Sequence, residues 1–148
     1  MGPITLEKAN KMIAVALAKA REMKLPPVGV AVLDAGGHLV ALQREDGLSY
    51  MRVRICQAKA WGALGVGTHS RHIAERFEQG LRQQGFINAL NSMSDGQVIP
   101  LPGGVLIKDD NGVLLGAVGV SGAASEDDET CAVAGIEAAG YKVNLEQN

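Results

Sequence analysis

The sequence predicts one α/β domain of the mixed, α+β type, an antiparallel sheet covered by helices in the order α-β-β-α-α-β-β-β-α. Three observations lead there. Apolar runs are joined by tight-turn residues, at Asp34-Ala-Gly-Gly37 and again at Asp110-Asn-Gly112, and strands linked so briefly must run antiparallel. Apolar residues recur at helical spacing near the start, the middle and the end of the chain. A length of 148 residues with 47% hydrophobic content suits a single domain with a real core.

Thr5 is placed to cap a first helix, along which Leu6, Ala9, Ile13, Leu17 and Ala20 form one apolar side. Pro26-Pro27 cannot continue it. Val28 to Leu33 and His38 to Arg44 read as a hairpin around the Asp-Ala-Gly-Gly turn. Ser49 to about Leu64 is helical, with Tyr50, Val53, Ala60, Trp61 and Leu64 along one side and Gly65 and Gly67 at its end. Ser70 caps a shorter helix carrying Ile73 and Phe77, stopped by Gly80. Residues 81–97 lack a clear period and read as an irregular surface loop. Short strands follow, one of them near Val98, separated by Pro102-Gly-Gly104 and by Asn111-Gly112, where both turn residues tolerate positive φ. A final helix runs from about Glu126 to Ala139.

Composition narrows the function classes. A net charge of -2 gives no general attraction to nucleic acid. Basic residues outnumber acids over 44–82 and acids outnumber bases over 109–148, which reads as two solvated faces or as complementary surfaces in an oligomer. No apolar run approaches the roughly 20 residues of a membrane helix. Cys56 and Cys131 form no CxxC pair and no secretory pattern opens the chain, so a reducing cytoplasm is expected. With 19 glycines and only 3% aromatics, the core must be built from small side chains and close backbone approach.

The stretch Val118–Gly135 carries the densest signals. Gly119-Val-Ser-Gly122 is half of a dinucleotide fingerprint, but the rest of that pattern is missing and the following acids would repel a pyrophosphate. Among those acids, Ser125 with Asp128 at N3 reads as a capping box, and negative charge in a first helical turn interacts favourably with the dipole. Glu126 and Glu129, one turn apart, could instead share a hard cation, but no further ligand lies nearby in sequence. No metal site is predicted. Glu129 remains the member most able to turn inward. His69 and His72 could meet as metal ligands, although a helix starting at Ser70 leaves His69 outside it. His38 flanks a turn and is also of a type that ligates haem iron. Cys56 and Cys131 suit buried packing. Arg44 and Lys59 could grip an organic carboxylate, as fork and point charge. They could equally be a turn ion pair to Asp46 and a snorkelling lysine.

Together, Ile4-Thr-Leu-Glu-Lys-Ala9, VGVAVLDAGGHLVALQREDG, the Ala-Lys-Ala around Lys59, PLPGGVLI and GAVGVSGAASEDDETCAVAG resemble the GlcG/HbpS family, which includes the C-terminal domain of some corrinoid adenosyltransferases. The resemblance spans nearly the whole chain. It implies a central antiparallel sheet of about five strands flanked by helices, and homo-oligomers from dimers to octamers. It also implies an association with haem, iron or corrinoid-related proteins. Arg44 and Asp46 match its R-x-D-G, Lys59 its K-A, and Gly103 and Gly104 its P-G-G. Ser121, Gly122, Asp128 and Glu129 match its G-V-S-G…D-E. By the resemblance these converge on a ligand pocket between the sheet and the last helix, near or at a subunit interface. Ser49-Tyr-Met-Arg-Val-Arg-Ile-Cys56 departs from the family pattern before the lysine, and its Arg52 and Arg54 point to an anionic ligand or an interface ion pair.

Three functions follow as expectations. First is an oligomeric protein binding haem, a related tetrapyrrole or an anionic metabolite. Second is an isomerase, lyase or hydrolase on a small organic acid held by Arg44 and Lys59, with Glu129 as acid/base. Third is an accessory subunit without chemistry of its own.

Overall fold

A computed structural model describes residues 2–147. Five helices and four strands follow in the order α1 (Leu6–Glu22), β1 (Gly29–Asp34), β2 (Leu39–Arg44), α2 (Tyr50–Val66), α3 (Ser70–Phe77), α4 (Leu81–Met93), β3 (Gly104–Lys108), β4 (Leu114–Ser121) and α5 (Ser125–Ala138). The strands form one antiparallel sheet in the order β2-β1-β4-β3. No described helix is long and apolar enough to cross a membrane.

The sheet is the middle of three layers. Alternation along the strands sends Val30, Val32, Val105, Ile107, Val118 and Val120 to one side, where they pack with Met12, Ile13 and Ala16 of α1 and Ala132 and Ile136 of α5. Leu33, Leu106 and Ala117 face the other side and meet Ala60 and Ala63 of α2. With few large side chains available, close approach replaces bulk. Any Cβ on Gly119 would collide with the Cys56 carbonyl, and any on Gly104 with the Lys59 carbonyl, so α2 rests almost backbone-to-backbone on the sheet. Gly135 does the same for α5 against Met12 of α1.

The expected fifth strand near Val98 is absent, and the expected loop before it is the helix α4. Val98 is buried instead with Ile73 and Ile87 in a small satellite core. Its carbonyl accepts from Asn91 Nδ2 at 2.7 Å, which takes it away from any ladder. Pro100 and Pro102 supply no N–H to a neighbouring strand. Only Ile87 of α4 is fully buried, so the sequence there carries little helical period.

Thr5 caps α1 as expected, its Oγ1 accepting from the Lys8 N–H at 3.1 Å. Two other expected caps differ. His69 stands at the N-cap of α3, and the Ser70 hydroxyl accepts from the Gly104 N–H at 2.8 Å. Ala124 stands at the N-cap of α5, so Ser125 is the first helical residue and makes no capping bond. Asp128, a turn into the helix, reaches back to accept from the Ala123 N–H at 3.0 Å.

The β1–β2 and β3–β4 turns are built alike. In each, an aspartate begins the turn and its Oδ1 accepts two backbone N–H groups, from Gly36 and His38 to Asp34, and from Asn111 and Val113 to Asp109. In each, a glycine at the fourth position takes the left-handed conformation, Gly37 at φ 80° and Gly112 at φ 79°. Asn111, which tolerates positive φ, does not adopt it. Because β1 and β4 are paired neighbours, the twin turns sit side by side at one end of the sheet.

Candidate functional site

Most of the residues singled out by sequence gather at the opposite end. Lys59, on the sheet-facing side of α2, is 1% exposed, and its Nζ donates to the Val120 carbonyl at 3.0 Å and to Asp128 Oδ2 at 3.1 Å. Asp128 is fully buried, its second oxygen holding the Ala123 N–H. Burial pushes the lysine down from its ordinary value and the aspartate up, and the attraction between them opposes both. Gly103, at φ 124°, leaves the room that Lys59 fills, since a Cβ there would lie 2.9 Å from Nζ. Gly104 lies beneath the Lys59 carbonyl, and Gly122 packs on the Pro27 carbonyl. Ser121 is fully buried, and its Oγ accepts from Arg52 at 3.3 Å.

Arg44 and Asp46 are at the same sheet end but on its edge. Arg44 pairs in register with Gly29, which pairs with Ser121, so the three share one row. Arg44 and Asp46, with Arg21, Pro27 and Glu45, line an open cleft of about 420 Å³. Arg21 holds Glu45 at 3.0 Å, and no ion pair joins Arg44 to Asp46 among the described residues.

Glu129 turns away from this group. It is 4% exposed, and its Oε2 accepts from Arg71 Nε of α3 at 3.1 Å. Burial raises its pKa, and the Arg71 guanidinium works against the rise. Arg44, Lys59 and Glu129 therefore occupy three different surroundings. Arg71 is not among the residues that the sequence singles out, and its place on a short polar helix gives no sign of the pairing.

The three histidines differ in what they have left to offer. His69 Nδ1 accepts the Leu106 N–H at 3.1 Å, which leaves the proton on Nε2 to reach the Asn144 carbonyl at 3.1 Å. Burial lowers its pKa. His72 contacts Glu75 Oε2 through Nδ1 at 3.0 Å and the Leu145 carbonyl through Nε2 at 2.8 Å. Both rings are thus engaged in holding the C-terminal segment to α3. Among the described residues, no cluster of three or more His, Cys, Asp or Glu is placed to hold a metal ion. Cys56 and Cys131 are free, buried thiols, pushed up to about 12 and about 11 by burial, and neither is a thiolate.

His38 is exposed at the tip of β1–β2. Its Nδ1 lies 3.3 Å from Asp34 Oδ1. The hairpin amides hold that carboxyl below its ordinary range, above all the His38 N–H. Between the twin turns runs a cleft of about 590 Å³, walled by Pro3, Ala35, Val113, Leu114 and Leu115 with His38 at its rim. Both aspartates in it spend an oxygen on their own turns.

Comparison with known proteins gives this frame a family. A family described as haem degrading protein HbpS-like matches residues 4–137. A 15.0 kDa Citrobacter freundii protein from the dhaT-dhaS intergenic region is 35% identical over 136 residues, 90% of each chain. The corrinoid adenosyltransferase PduO of Citrobacter freundii is 25% identical over 135 residues, 91% of this chain but 38% of its own length. The crystal structure of a PduOC:heme complex superposes with a TM-score of 0.85 at 24% identity, covering 97% of this chain and 99% of that one. On the match over residues 4–137 and this shared fold, the chain belongs to the HbpS-like family.

Proposed function

We propose that this chain is a homo-oligomeric small-molecule-binding protein that takes up haem or a related tetrapyrrole in the cleft between the twin hairpin turns. The observation that carries the proposal is the pairing of an apolar cleft of ligand size with a histidine at its rim. Pockets of roughly 300–1,000 Å³ are usual for small ligands, and this one is of that order. The donor set fits iron on one count in particular, since His38 is the described histidine without a main-chain or buried partner at its ring nitrogens, whereas His69 and His72 are engaged at both. When bound, haem supplies redox or oxygen chemistry, and the chain supplies binding, orientation and shielding. The family's description and the heme complex of the structural relative support the same ligand class. Exposed Leu81, Phe86 and Met93 on α4 support self-association, as does the solvent-facing Tyr50 and Met51 pair on α2.

Titrating hemin into the full chain tests this. Trp61 is the only tryptophan, and its indole lies against Gly37, one residue from His38. The expected result is quenching of its fluorescence together with growth of a Soret band, both saturating at one haem per chain. Quenching and absorbance that rise without saturation overturn the proposal.

A second reading places an anionic metabolite at the other sheet end. It is favoured by Arg44 in the same sheet row as Ser121, with Arg52 on the Ser121 hydroxyl. Calorimetry with small carboxylates tests it, and binding lost in Arg44→Met is the expected result.

A further inference from the structure

We propose that His38 Nε2 is the iron-ligating atom of this protein, and that Asp34 is the residue that positions it. The inference rests on the haem-binding proposal above and assigns its ligand.

The geometry around the ring is unusually complete for an exposed side chain. Asp34 Oδ1 lies 3.3 Å from Nδ1 and also accepts the Gly36 and His38 N–H groups at 3.0 Å each, so the carboxylate is anchored before it meets the ring. With its proton on Nδ1, toward this carboxylate, the imidazole keeps the Nε2 lone pair free, the arrangement in which histidine serves as a metal ligand. The ring lies back over Gly36, where a Cβ would stand 2.9 Å from Nδ1 and Cε1. A side chain at residue 36 would displace it. The turn therefore restrains where the ring lies, between Gly36 and the Asp34 carboxylate.

The twin turn explains why the site belongs to this cleft. Position five of the β1–β2 turn is His38, and position five of the β3–β4 turn is Val113. One frame used twice presents a ligating nitrogen on one tip and an apolar contact on the other, with Leu114 and Leu115 between them. A flat, largely apolar macrocycle with a central cation matches that pairing of surfaces. Neither of the other two histidines nor either cysteine repeats it. His69 and His72 hold backbone carbonyls, and both cysteines are buried and protonated.

The experiment compares the full-length wild type with His38→Ala, Asp34→Asn and an Arg44→Met control by hemin titration, absorption and resonance Raman spectroscopy. His38 is exposed, so its replacement leaves the fold intact, as circular dichroism will verify. The expected result is an imidazole-ligated spectrum in the wild type and in Arg44→Met. In His38→Ala we expect it to be lost with affinity about 10-fold lower or worse, and imidazole in solution to restore it. The Asp34→Asn change keeps an oxygen for the turn amides but removes the charge, so this variant should bind haem with a midpoint potential moved positive. An unchanged spectrum in His38→Ala, with haem still bound, overturns the ligand assignment and leaves haem binding standing. An unchanged potential in Asp34→Asn overturns the role of Asp34. A wild type that takes up no haem overturns the haem-binding proposal, and this inference with it.

Discussion

Lys59 and Asp128 form a buried ion pair of 3.1 Å between α2 and α5, at 1% and 0% side-chain exposure. Their remaining polar atoms reach the Val120 carbonyl and the Ala123 N–H, so the pair is closed on both sides. It ties both helical layers to the end of β4.

Removing one partner leaves the other charged in an apolar site. We therefore expect Asp128→Asn or Lys59→Met to cost about 3–5 kcal/mol, and the double variant Lys59→Met/Asp128→Asn to cost much less than the sum. Urea unfolding of the three variants checks this. Additive losses would show that the two residues do not act as a pair.

His69 should make stability fall on mild acidification. Burial holds its pKa below the ordinary 6.5, helped by the nearby charges of His72, Lys108 and Arg71. The sign follows from proton uptake. Between 6.5 and the lower native value the unfolded chain binds a proton that the native chain refuses, so stability drops as pH falls through that window. Protonation would also remove the Nδ1 lone pair that receives the Leu106 N–H. His69→Gln, whose amide can mimic both bonds, should show a shallower slope there in pH-dependent unfolding. Equal slopes would remove His69 as the cause.

The glycines under α2 should be intolerant of even one methyl. Gly119→Ala and Gly104→Ala each press a Cβ into a backbone carbonyl of α2 and should cost about 1–3 kcal/mol or more. Gly85→Ala, inside α4 with nothing within 4 Å, should instead stabilise by about 0.5–1 kcal/mol. Thermal unfolding of the three gives the comparison.

Arg71 and Glu129 predict an asymmetry. Arg71→Met strands a carboxylate that is only 6% exposed, and a loss of about 1–3 kcal/mol is expected. Glu129→Gln keeps an acceptor for Arg71 and should cost less. Chemical denaturation checks the order, and a greater loss in Glu129→Gln would contradict it.

Much of the frame is legible in the residues because it is local. Thr5, the Pro26-Pro27 stop and the two Asp-to-Gly turns each encode their own geometry within a few positions. Helix α4 is not legible, since a helix that buries only Ile87 leaves no apolar stripe to count. The family-matched residues do gather at one sheet end, but their partners lie far along the chain. Neither the inward turn of Asp128 to Lys59 nor that of its neighbour Glu129 to Arg71 follows from spacing, because adjacent helical residues point about 100° apart and tertiary packing chooses which meets what. His38 is visible as a turn residue. The cleft beside it depends on β1 pairing with β4, a long-range choice that places two sequence-distant turns together.

The most direct measurement is haem affinity in two variants at opposite ends of the sheet. Val113 is 53% exposed in the cleft wall, so Val113→Asp puts a charge against the ligand without disturbing the core, while Arg44→Met alters the other end. By hemin titration, Val113→Asp should bind at least about 10-fold more weakly than wild type, the cost of burying a charge against an apolar ring, and Arg44→Met should bind as wild type does. Wild-type affinity in Val113→Asp, with binding lost in Arg44→Met, would place the ligand at the other end and contradict a site between the twin turns.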